Sequence, residues 1–337
     1  MWHERKKSVD VLLVTYNQER FISKAIESVL IQNVGEDVSV TIVVADDCST
    51  DNTVDLIKAY QEKSPFPFIF LHRESNVGIA RNYQLAIEAC KGDYVAIIEG
   101  DDYWLDSMRL KNHLDYLESH IDCVLTVNSR LEYDQRKKNY LVSKTDTYSK
   151  DFCFSLADAI ADYDFIRNLS TAVFRKKTLN QLNPQLFETA IRFNGICVDR
   201  FIVHDVLQRG YGFHFGDVMT VYRVHTGFNA SSKQNENASI EEDIEWHRKM
   251  FSEANFLLDS NYTSEFDLLF EKKKKELEDL HLYLRKTKLS RYVSPILIDF
   301  YFFLPQIGRC IKRCVRVFIP NGLYSKMKIV KNRVLNK

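Results

Sequence analysis

With 337 residues, 45% hydrophobic and 27% charged, the chain has the composition of a soluble globular protein long enough to bury a substantial core. Lys plus Arg and Asp plus Glu are equal at 46 each, so net charge singles out no class of partner, although the stretch from Phe300 to Lys337 holds nine Lys or Arg and no acid. The seven cysteines are scattered, with only Cys310 and Cys314 at helical spacing, which argues against a disulfide framework or zinc site and for a reducing compartment.

The charged N-terminus, MWHERKKS, has no apolar run of the kind a cleaved signal peptide needs. Val9 to Val14 is the first apolar run, ended by Thr15, Tyr16 and Asn17, and Phe21, Ile22, Ala25, Ile26, Val29 and Leu30 follow at helical period. Val38 to Ala45 is β-branched and ends at Asp46 and Asp47, after which Ser49, Thr50 and Asp51 offer caps for a helix. A strand over Phe68 to Leu71, a turn at Asn76 to Gly78 and a helix from Ile79 to Cys90 lead into the run DYVAIIEGDDYW, Asp93 to Trp104. A helix over Ser107 to Ser119 and a strand over Cys123 to Val127 complete an alternation that predicts an α/β fold with a doubly wound, parallel sheet. Beyond it, Glu132 to Lys150 reads as a loop, Leu169 to Phe174 as a strand, Val198 to Gln208 as an amphipathic helix and Val218 to Val224 as a strand. Ser239 to Lys288 is charged and helical.

Asp93 to Trp104 concentrates the chemistry. Val95 to Ile98 reads as a strand buried on both faces, and Glu99, Asp101 and Asp102 crowd its end. In an open α/β sheet, ligands bind beyond the carboxyl ends of the strands. Three acids so close repel one another unless a cation or hydrogen-bond donors hold them, and hard oxygen ligands suit Mg2+ or Mn2+. A solvated acidic turn is the plain alternative.

Five motifs stand in order along the chain: VTYN (Val14 to Asn17), DDCSTDNT (Asp46 to Thr53), NVGIARN (Asn76 to Asn82), GDYVAIIEGDDYW (Gly92 to Trp104) and VYRVH (Val221 to His225). In order and spacing they resemble the family 2 glycosyltransferases of the GT-A fold, over about the first 230 residues. The resemblance implies a catalytic domain over 1–230, a helical C-terminal region over 231–337 and inverting, metal-dependent transfer from a nucleotide-sugar, UDP-linked, in building a surface glycan such as capsule or lipopolysaccharide. It places Thr15, Tyr16, Asn17, Asp47, Arg81, Glu99 and Trp104 around the nucleotide-sugar. Asp101 and Asp102 would hold the metal, with His225 as a further ligand. The first acidic position, commonly Asp in this family, is Glu99 here. Inversion also needs a base for the acceptor hydroxyl, and the family sets an Asp at a helix start about one hundred residues beyond the acidic motif. Asp199 fits that position, where a helix N-terminus favours the ionised carboxylate, and Asp205, inside the same helix, competes for it. A non-catalytic nucleotide-sugar-binding or scaffold protein of the same fold is the alternative.

Pro295 to Leu304 is too short and too interrupted to predict a membrane span, and Ile307 to Phe318 alternates apolar with basic residues. Such a tail suits either an anionic membrane surface or a helical cap on the catalytic domain. The expected location is cytoplasmic, peripheral on the inner face of the plasma membrane. No nucleic-acid reading motif accompanies the charge.

Overall fold

The computed structural model describes residues 6–135, 138–141, 149–162, 165–166, 168–224 and 240–287. His225 and the basic tail lie outside the described residues. Strands β1 (Lys7–Thr15), β2 (Val38–Asp46), β3 (Phe68–Phe70) and β4 (Tyr94–Glu99) alternate with helices α1 (Ile22–Leu30), α2 (Thr53–Gln61) and α3 (Ile79–Ala89). β1 pairs in parallel with β2 on one side and with β4 on the other, and β2 pairs in parallel with β3. Alternation along these strands fills both faces of the sheet. Leu12, Val14, Val95 and Ile97 pack in one buried cluster with α3, whereas Val11, Leu13, Ala96 and Ile98 pack in the other with α1.

After β4 come the two-residue strand β5 (Tyr103–Trp104), α4 (Arg109–Ser119), β6 (Cys123–Asp134), β7 (Asn139–Leu141), β8 (Phe152–Phe154) and α5 (Leu156–Ala161). The predicted strand over Leu169 to Phe174 is instead a 3-10 turn, Leu169–Thr171, followed by the short strand β9 (Val173–Arg175). The Asn168 side chain causes the turn by accepting from the Ser170 N–H, which supplies the backbone with a local partner in place of a ladder. β9 runs antiparallel between β4 and β6, so the sheet is mostly parallel rather than wholly so. Helices α6 (Lys176–Leu179), α7 (Leu186–Arg192) and α8 (Val198–Leu207) precede β10 (Tyr211–Val224), parallel to β6. The spine of the sheet reads β3-β2-β1-β4-β9-β6-β10-β5, with β7 on β6 and β8 on β10.

Part of the stretch predicted as a loop after Glu132 is strand: β6 continues to Asp134 and β7 folds back on it. β10 begins seven residues earlier than its predicted start at Val218. Its register breaks between Phe215 and Val218, and this irregularity hides the first half of the strand from a period-two reading.

Two further helices, α9 (Ile240–Leu257) and α10 (Thr263–Thr287), occupy the charged stretch. Met250, Phe251, Leu257 and Phe266 share one buried cluster with Leu156 of α5 and Phe201 of α8. Among the described residues, no helix is long and apolar enough to cross a membrane.

Candidate active site

The chain winds outward from β1 through β2 to β3, then returns to place β4 on the opposite side of β1. Such a reversal opens a crevice at the carboxyl ends of the two central strands, the usual ligand site of this architecture. Thr15 ends β1, Asp46 ends β2 and Glu99 ends β4, so three of the five motifs meet at this crevice. The Gly100 N–H donates to the Val14 carbonyl at 2.9 Å. A Cβ on Gly100 would lie 2.3 Å from Gln18 Oε1 and 2.9 Å from Thr15 Oγ1, so glycine is what lets the acidic turn lie against the β1 loop.

The loops on the β1–β2 side are tied to each other. Thr15 is buried and its hydroxyl donates to Gln18 at 2.8 Å. Asn17 is left-handed at φ 51°, donates its N–H to Ser49 Oγ and accepts from the Thr50 N–H, each at 2.8 Å. Asp46 accepts from the Ser49 N–H at 2.8 Å. Asp47 accepts from the Val77 N–H at 2.8 Å and the Gly78 N–H at 2.9 Å, one per oxygen, so it holds the NVG turn in place. Tyr16 remains 43% exposed, an aromatic ring at the lip of the crevice.

Glu99, Asp101 and Asp102 converge, each offering a carboxylate oxygen within 4.8 Å of the others. Glu99 accepts from the Tyr83 hydroxyl at 2.8 Å. Asp102 is fully buried and accepts three hydrogen bonds: from Asn168 Nδ2 at 2.8 Å, from Ser170 Oγ at 2.7 Å and from the Arg223 backbone N–H at 2.9 Å. Burial pushes the Glu99 carboxyl well above its ordinary range, helped by the Asp102 and Asp101 charges and opposed by the Tyr83 hydrogen bond. Burial and the neighbouring Asp101 push Asp102 up to about 7, against the pull of its three donors. An oxygen-only donor set in which Glu99 and Asp102 resist ionisation fits a hard divalent cation, and Mg2+ or Mn2+ bound there would relieve that repulsion.

Asp199 lies in the first turn of α8, half-buried and within electrostatic reach of the acidic turn, where its charge helps raise both Glu99 and Tyr83. Gly195, at φ 75°, sets this up: a Cβ there would lie 2.2 Å from Ile79 Cγ2, so glycine is what allows the approach to α8 to pack on the start of α3. Asp205 is committed elsewhere, accepting from the Asn183 N–H at 3.0 Å and pairing with Arg209 at 2.5 Å.

Two of the residues expected at the nucleotide-sugar are engaged within the protein. Trp104 does not line a pocket: it is 2% exposed, its indole N–H donates to the Ser170 carbonyl at 2.8 Å and the Arg109 guanidinium stacks over it at 4.2 Å. Pairing of β5 with β10 turns the ring inward, a consequence no motif encodes. Arg81 is directed to Gln84 at 2.5 Å and Glu188 of α7 at 3.3 Å, an arrangement set by the packing of α7 on α3. The residues that sequence reading missed are Tyr83, Asn168 and Ser170. Tyr83 carried only the signal of a helix core position, and the other two carried none.

A mixed sheet with its crevice at the β1–β4 reversal, acids at the strand ends and helices on both faces defines the GT-A glycosyltransferase scaffold. Over 97% of this chain and 80% of the other, the fold matches a mannosyltransferase of Pyrobaculum calidifontis solved with GDP-Man and Mn2+, at a TM-score of 0.55 and 15% identity. It also matches Staphylococcus aureus TarS 1-349 solved with UDP-GlcNAc, at a TM-score of 0.53 and 18% identity, over 73% of this chain and 66% of that one. The chain belongs to glycosyl transferase family 2, whose pattern it matches over residues 10–182. The dTDP-rhamnosyl transferase RfbG of Shigella flexneri is 26% identical over 264 residues, 75% of this chain and 86% of that protein. An uncharacterized protein of Mycobacterium tuberculosis is 34% identical over 112 residues, and the match spans 33% of this chain and 32% of that relative.

Proposed function

We propose that the protein transfers a sugar from a nucleotide-sugar donor, a UDP-sugar, to a saccharide or lipid-linked saccharide acceptor of a surface glycan, with inversion at the anomeric carbon. The observation that carries this reading is the meeting of Glu99, Asp101 and Asp102 within 4.8 Å at the crevice, with Asp199 within electrostatic reach of them. Tyr16 stacks on the base, and the loop of Thr15, Asn17 and Asp47 forms the wall against which the nucleotide lies. Asp101 and Asp102 hold a divalent cation, Mn2+ or Mg2+, with His225 as a further ligand. Bound there, such an ion neutralises charge on the departing diphosphate. Asp199 accepts the proton of the acceptor hydroxyl as that oxygen attacks, and its place in the first helical turn favours the ionised form this role needs.

The uridine assignment draws on TarS, solved with UDP and UDP-GlcNAc, whereas the mannosyltransferase and RfbG are named with GDP-Man and dTDP-rhamnose. The basic segment over 300–337 meets the anionic inner face of the membrane, where a lipid-linked acceptor is presented. The test is turnover of a panel of UDP-, GDP- and dTDP-sugars with Mn2+, with wild type beside Asp199→Asn. Wild type is expected to hydrolyse or transfer a UDP-sugar, and Asp199→Asn to lose about 100-fold or more while still binding it. Turnover of non-uridine donors alone rejects the UDP reading, an unaffected Asp199→Asn rejects that residue as base, and no turnover with any donor favours a non-catalytic scaffold.

A further inference from the structure

The acidic turn rests on two residues from a distant part of the chain. Ser170 lies in the 3-10 turn Leu169–Thr171, and that turn is delivered beneath the β4 end because β9, which follows it, inserts beside β4. The Ser170 hydroxyl donates to Asp102 Oδ2 at 2.7 Å and accepts from the Glu99 backbone N–H at 3.0 Å, so one atom ties together the strand end and the carboxylate three residues on. Asn168 donates from Nδ2 to the same Asp102 oxygen and accepts from the Ser170 N–H at Oδ1, each at 2.8 Å. The Ser170 carbonyl takes the Trp104 indole N–H at 2.8 Å and Arg109 Nη2 at 3.1 Å, which anchors the turn to the core. Asp102 Oδ1 accepts the Arg223 N–H, tying the last residues of β10 to the acidic turn. A carboxylate has roughly four acceptor sites, so three donors on Asp102 leave about one, with its direction set by the other three.

We propose that Ser170 and Asn168 are positioning residues. They orient the Asp102 carboxylate and hold the end of β4 so that the acidic turn presents its oxygens to a divalent cation in one geometry. The inference rests on the metal role assigned to this turn in the proposed function. Outer partners of this kind commonly contribute a factor of about 10–100 to metal affinity.

The test is direct metal binding, read by the electron paramagnetic resonance signal of free Mn2+ in titrations at saturating UDP. Ser170→Ala and Asn168→Ala are compared with Thr178→Ala, which removes a buried hydroxyl bonded to the Arg175 carbonyl at 2.8 Å on the short helix α6. Each variant loses buried hydrogen bonding, so a merely structural role predicts the same modest change in all three. The expected result is an Mn2+ dissociation constant about 10–100-fold weaker in Ser170→Ala and Asn168→Ala and within about twofold of wild type in Thr178→Ala. Affinities within about twofold of wild type in the two folded variants overturn the proposal. If Ser170→Ala does not fold, Asn168→Ala, with its side chain at the edge of the same turn, decides alone. Wild type that binds no Mn2+ and turns over no donor marks failure of the functional reading itself, and the inference falls with it.

Discussion

Asp102 retains its proton up to about pH 7 in the folded chain, whereas an unfolded Asp releases it near its ordinary value of 3.8. Between those values the native state binds more protons than the unfolded one, so this group's contribution to stability declines as pH rises through that window. Glu99 is raised in the same direction and adds to the effect. Without divalent ions, the melting temperature is therefore expected to lose this contribution between about pH 4 and pH 7, and saturating Mn2+ to flatten the slope by favouring the ionised pair. Thermal melts across that range check it, and a metal-free melting temperature that rises with pH counts against it. Cys48 sets a second expectation. It is left-handed at φ 62°, a conformation that costs a residue with a Cβ about 1 kcal/mol, so Cys48→Gly is expected to stabilise by about that amount in urea titrations. At this scale the sequence showed the acids, because three carboxylates within four residues announce themselves by repulsion alone. It did not show that Asp47 is spent on two backbone N–H groups or that Trp104 faces inward, since both depend on loops and strands brought in from elsewhere.

Among the elements, β9 matters most for its length. Its three residues join β4 to β6, and Arg175 at its end donates to the backbone carbonyls of Cys123 at 2.7 Å and His120 at 3.0 Å, and also to that of Leu117. Arg175→Met keeps the apolar stem and strips these carbonyls of their donor, for an expected loss on the order of 3 kcal/mol by urea unfolding. A loss below about 0.5 kcal/mol would mean that water replaces the guanidinium without cost. β1, β2, β4 and the helices between them were readable because each carries a full period of apolar residues. β9 was not, since a three-residue strand has no period and its direction is decided by the two strands it enters. The same holds for the first half of β10, where the break after Phe215 erases the alternation.

At the scale of the molecule, α9 and α10 bury Met250, Phe251 and Phe266 in the same cluster as Phe201 of the helix that carries Asp199. A chain truncated before residue 240 would expose that surface, so it is expected to express with lower solubility and to melt at a lower temperature than the full chain. Equal melting temperatures would instead mark 240–287 as an independent unit. The antiparallel seam has a consequence for how the protein is made. Synthesis delivers β1 to β4 first and β6 some thirty residues later, yet among the described residues no strand pairing joins the two groups until residues 173–175 have left the ribosome. Until then β4 and β6 each present an open row of backbone donors and acceptors, the kind of edge on which nascent chains pair with one another. Sequence changes in β9 should therefore register in the yield of newly made protein before they register in the stability of what has folded.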